Sequence, residues 1–123
     1  MNKEKLIRDL CARLPYDVKV LYDNKVFSID YVSSIHEEIK LDTRDNYTIN
    51  VSDVKPYLFP LSSMTEEQKM FLRQQNWCIA ISTSGTIETT VEGIDWLNKN
   101  HFDFRGLIEK SLALDATNLG VYE

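Results

Sequence analysis

The sequence predicts an α+β fold: an N-terminal helix, a small antiparallel β-meander, then a helix, a β-hairpin and two more helices. Three observations carry this reading. Apolar residues recur at helical spacing from Leu6 to Leu14. They alternate with a period of two from Val18 to Val51. Beyond Leu61 helical and strand-like runs intermix, opened by a capping motif at Thr65.

The first helix is expected over Lys3 to Leu14. Leu6, Ile7, Leu10, Cys11 and Leu14 form one apolar stripe, and Lys3, Lys5, Arg8, Asp9 and Arg13 fill the solvent side. Pro15 ends it, because a proline pushes the preceding residue away from helical angles.

Four short strands are expected next. Val18, Val20 and Tyr22 alternate, then Phe27, Ile29 and Tyr31, then Ile39 and Leu41, then Tyr47, Ile49 and Val51. Asp23-Asn24-Lys25, His36-Glu37-Glu38 and Arg44-Asp45-Asn46 supply the turns. Strands at roughly ten-residue spacing fit an SH3-like barrel, and fit equally a sheet packed on the first helix.

Tyr57-Leu58-Phe59-Pro60-Leu61 reads as a connector too apolar to stay in water, so it is expected to join two subregions, 1–61 and 62–123, into one domain. Thr65 and Gln68 bracket a capping box, and the helix is expected to reach Gln75 with Met70 and Phe71 turned inward. Trp77–Ile81 and Thr86–Val91 read as a hairpin closed by Gly85 at positive φ. A short helix over Glu92–Asn100 is expected to end on a left-handed Asn100. Asp103 then caps a final helix whose inner face is Phe104, Leu107, Ile108 and Leu112. The segment from Ala116 reads as polar and loose, apart from Val121 and Tyr122.

The 123 residues carry 14 Lys and Arg against 19 Asp and Glu, a net charge of −5. That balance disfavours a general nucleic-acid or anionic-membrane binder. No apolar run approaches the roughly 20 residues of a membrane span, and no signal-peptide pattern follows Met1. A cytoplasmic location is expected, with Cys11 and Cys78 as reduced core thiols. The four glycines are widely separated, which excludes phosphate-cradling loops. Neither cysteine sits in a zinc-type spacing, so no metal or cofactor is expected.

The run His101-Phe102-Asp103-Phe104-Arg105-Gly106 is the densest cluster of chemical groups. Extended, it would place His101, Asp103 and Arg105 on one side, a hydrolase-like arrangement with Asp103 orienting His101. As a corner between helices, Asp103 caps, Phe104 packs and Arg105 is exposed. The corner would also suit a helix-turn-helix DNA reader, but residues 92–115 carry an excess of two negative charges where a recognition helix needs cations.

Three segments together, Asp9–Tyr16, Val54–Gln68 and Asp95–Ile108, resemble a family of small uncharacterised proteins abundant in gut anaerobes and in their phages and mobile elements. Asp17 and Ser111 stand where the pattern calls for glycine. The resemblance implies a cytosolic accessory protein and supplies no catalytic residue.

The leading expectation is a protein-interaction module that binds a host or phage protein, not an enzyme. Its patch would combine Tyr57, Trp96, His101 and Arg105, with Trp96 as apolar anchor and Arg105 pairing with a carboxylate of the partner.

Overall fold

The computed structural model describes residues 2–43, 48–81 and 87–122. Helix α1 spans Asn2–Arg13 and runs into a 3₁₀ turn, Leu14–Tyr16, with Pro15 near its start. The chain leaves this turn through Asp17 at φ 56°. Strand β1 (Lys19–Tyr22) and β2 (Lys25–Ser33) form a hairpin through Asp23 and Asn24, both at positive φ, as a tight two-residue turn requires. β3 (Glu38–Leu41) and β4 (Ile49–Asn50) complete the antiparallel meander that alternation predicts. The expected turn at Arg44-Asp45-Asn46 lies outside the described residues.

The apolar connector is itself a strand, β5 (Lys55–Pro60). It pairs antiparallel with β1, with Pro56 opposite Val20. Two prolines hide it from a strand reading, since proline withholds a ladder donor. Helix α2 (Glu66–Gln74) follows, with its capping box intact: Gln68 N–H donates to Thr65 Oγ1 and the Gln68 side chain accepts from Thr65 N–H. β6 (Cys78–Ile81) and β7 (Ile87–Thr89) pair as a separate hairpin. Its turn, with Gly85, lies outside the described residues. Helix α3 (Val91–Lys99) leads into two short strands, β8 (Phe102–Asp103) and β9 (Leu114–Asp115), both parallel to β5.

The fold is therefore α+β with a mixed sheet of order β4-β3-β2-β1-β5-β8, β9 also pairing with β5. The barrel does not close. Leu6, Ile7 and Leu10 of α1 pack with Val20, Ile39 and Leu58 of the sheet in the larger core, so the sheet-on-helix alternative describes the chain. A second core of Leu61, Met64, Leu72, Leu97 and Phe102 lies around α2 and α3. β5 is central because it carries the meander on one partner and the late strands on others.

Several expectations are corrected. No helix follows Asp103. Gly106 and Ser111 sit at φ 75° and 61°, and left-handed residues interrupt a right-handed helix. The apolar residues of that stretch still turn inward: Leu107 is buried, and Ile108 and Leu112 pack on the larger core. Asp103 caps without a helix, accepting from the N–H groups of Leu107 and Ile108. The left-handed residue after α3 is His101, not Asn100. On α2 the buried residue is Leu72, whereas Met70 and Phe71 are exposed. Cys11 is exposed and so is no core thiol, while Asp9 and Arg13, expected in solvent, are fully buried. Asp17 and Ser111 both take left-handed backbone.

Candidate functional site

α3 ends where Asn100 donates its side-chain N–H to the Trp96 carbonyl. His101 then reverses the chain at φ 63°, and its carbonyl accepts the Phe59 N–H at 2.8 Å. This bond docks β8 on β5 and fixes the imidazole at the mouth of an open polar cleft of about 530 Å³. Tyr16, Asp17, Lys19, Lys99, Asn100 and Tyr122 line the same cleft.

Tyr122 closes one wall. Its ring stacks on His101 with centroids 3.8 Å apart and planes 12° from parallel. Its hydroxyl accepts the Lys19 N–H at 3.0 Å and donates to the Tyr57 carbonyl at 2.6 Å. Lys19 and Tyr57 flank the last β1–β5 partners, Val20 and Pro56, so the phenol bridges the two strands just past their pairing. The segment that the sequence reads as loose is thus anchored at Tyr122. Burial raises the Tyr122 hydroxyl pKa, which keeps it a proton donor. Burial, reinforced by the charge of Arg13, lowers His101 to about 4, so the imidazole is neutral at pH 7. Its Nδ1 is buried and has no partner among the described residues.

Behind the cleft lies a buried charge cluster. Asp9 accepts Arg13 Nε on both carboxylate oxygens, at 3.0 and 2.9 Å, and Arg105 Nη1 at 2.6 Å. Arg13 Nη2 donates to the Phe102 carbonyl. The Arg105 guanidinium also lies over the Phe104 ring, 4.2 Å from its centroid. The cluster ties α1 to the loop after β8, a distance of 96 residues in sequence between Asp9 and Arg105.

The four residues expected to share one patch therefore separate. Tyr57 is buried, and its carbonyl accepts from the Tyr122 hydroxyl. Arg105 spends its charge on Asp9, leaving it 16% exposed and unavailable as an outward carboxylate reader. His101 faces the cleft. Trp96 is half-buried and stacks on Phe71 and Phe102, at 6.2 and 5.6 Å. The hydrolase-like arrangement does not assemble either: Asp103 is occupied by two backbone N–H groups, Arg105 by Asp9, and no hydrogen bond joins His101 to Asp103.

A continuous run of ring contacts links the cleft to the surface. It passes His101–Tyr122–Phe59–Phe102–Trp96–Phe71–Trp77. The outer end is exposed: Phe71 is 40% accessible, Met70 beside it 54%. Val91 is 72% accessible and follows Thr90, whose N–H donates to the Trp77 carbonyl. The sequence signalled the Asp9–Arg13 pair by its i,i+4 spacing. It gave no signal that Tyr122 or Phe71 would join the site, since both depend on long-range packing.

The chain matches no protein-family model, no curated protein and no solved structure. No described helix is long and apolar enough to cross a membrane.

Proposed function

We propose that the protein is a protein-interaction module, a cytosolic accessory protein of phage or mobile-element origin, whose binding face is the aromatic surface between α2 and α3. The observation that carries this reading is Phe71: a large ring left 40% exposed while stacked against Trp96 and edge-on to Trp77. Met70, which precedes it on α2, and Val91, at the start of α3, are further exposed apolar residues. Aromatic residues and methionine are the types enriched at protein interfaces, and rings already fixed by their neighbours lose little entropy on binding. Trp96, expected to be the apolar anchor itself, instead supports Phe71 from beneath. Tyr57 and Arg105 take no part. The partner is a host or phage protein that presents aliphatic or aromatic side chains to this face. The phage or mobile-element setting rests on the sequence resemblance.

The test is a comparison of full-length chains purified by affinity tag from an anaerobic gut bacterium. Wild type is expected to retain a discrete partner, and Met70→Asp to lose it with a melting temperature changed by no more than about 2 °C, as for an exposed helix position. Retention of the same partner by Met70→Asp combined with Phe71→Ser would refute the face.

A further inference from the structure

The exposed α2–α3 surface leaves the His101 cleft unexplained. We infer that the place beside this cleft that Tyr122 holds in the isolated chain is a recognition site for a tyrosine side chain of a second polypeptide. Two features meet there. A neutral imidazole face stacks on the aromatic ring, and the Phe59 ring makes a tilted contact with it at 5.8 Å. A backbone donor, Lys19 N–H, and a backbone acceptor, Tyr57 C=O, converge on one hydroxyl. A ring without that hydroxyl would leave both unpaired in a part-buried place, so the site distinguishes tyrosine from phenylalanine.

The built-in occupant is held thinly. Thr117, Asn118, Leu119 and Gly120 are all exposed, and Asn118 and Gly120 take positive φ. Among the described residues, no backbone hydrogen bond joins residues 117–121 to the sheet; Leu119 N–H returns locally to Ala116. Tyr122 is thus a ring on a slack strap, the arrangement of an internal ligand that an external one displaces. The cleft stays open beside it, which gives an incoming chain a way in along Lys99 and Asn100.

The strap holds its tyrosine at a local concentration of about millimolar, so it suppresses external binding without abolishing it. The probes are N-acetyl-tyrosinamide and N-acetyl-phenylalaninamide, read through the His101 ring resonances by NMR. Full-length Tyr122→Ala is expected to show saturable shifts with the tyrosine derivative, at least roughly fivefold tighter than with the phenylalanine one. Wild type is expected to bind at least roughly tenfold more weakly than Tyr122→Ala. Equal affinity for the two derivatives, or no saturable shift in a folded Tyr122→Ala, would overturn the inference. Should Tyr122→Ala not fold, Tyr122→Phe keeps the ring stack and drops only the hydroxyl bridge; it should bind the tyrosine derivative more tightly than wild type, and no gain overturns the inference. Wild type supplies an independent check by hydrogen exchange. A slack strap requires the Lys19 amide to exchange faster than the Phe59 amide, which is bonded to His101. Equal protection of the two would make Tyr122 a fixed part of the core and would also overturn the inference.

Discussion

Replacing Asp9 by asparagine keeps the shape of the buried cluster and removes the only carboxylate among the described residues that both guanidinium groups contact. Asp9 and Arg13 are fully buried, and Arg105 is largely so. The substituted amide would present an acceptor to one guanidinium and an N–H toward the other, leaving two cations uncompensated. Breaking one side of a buried pair costs about 3–5 kcal/mol, mostly as the penalty of stranding the remaining charge. A chain of this size has a total stability of roughly 6–18 kcal/mol, so Asp9→Asn removes a large share of it. With an unfolding entropy near 2.1 cal/mol/K per residue, the expected drop in melting temperature is about 12–19 °C. Arg105→Met should be milder, about 1–2 kcal/mol, because Asp9 keeps Arg13 and the apolar stem still covers Phe104. Chemical denaturation followed by tryptophan fluorescence and circular dichroism measures both. An Asp9→Asn loss below about 1 kcal/mol would mean that water or a shifted side chain reaches the cluster, and the role given to Asp9 would be wrong.

Ser111→Gly should stabilise the fold by about 1 kcal/mol, since Ser111 holds φ 61° with an exposed side chain and glycine takes that angle without strain; an unchanged or lower denaturation midpoint would contradict this. Gly93→Ala should destabilise by about 1–3 kcal/mol although alanine is the better helix former, because its Cβ would lie 1.8 Å from Thr89 Oγ1 and 2.7 Å from the Trp77 carbonyl; a melt at or above wild type would refute that close approach. Stability should also fall as pH drops from about 6.5 to about 4. Across that window the unfolded chain binds a proton that His101, lowered to about 4, refuses in the fold. The loss at its full extent is roughly 2–3 kcal/mol, and His101→Asn, which also tolerates left-handed backbone, should flatten it; an equal slope in both proteins would remove His101 as the cause.

Local signals in the sequence were enough for α1, the meander, the capping box of α2 and the span of α3, because each depends on spacing or turn chemistry within about ten residues. What local reasoning missed depends on partners far along the chain. Tyr57–Leu61 reads as a connector until β1, β8 and β9 are seen to pair with the strand that covers most of it. The residues after Asp103 have helical spacing, yet Gly106 and Ser111 turn left-handed and the apolar groups reach the core from turns. Arg13 looks like a surface cation until Arg105, Phe102 and Asp9 are brought around it. For the site, His101 and Trp96 were legible as an aromatic, titratable corner. Arg105 and Tyr57 were misplaced because neither the buried carboxylate of Asp9 nor the pairing of β5 shows in their own neighbourhoods.

The proposed interaction face is tested most directly by a photoreactive benzophenone side chain introduced at position 71 of the full chain in living cells. Position 35, an exposed isoleucine on the turn after β2, serves as the control. A discrete crosslinked protein at 71, absent at 35 and lost when Met70→Asp is added, is the predicted result. The same products at both positions, or an adduct at 71 that survives Met70→Asp, would contradict it.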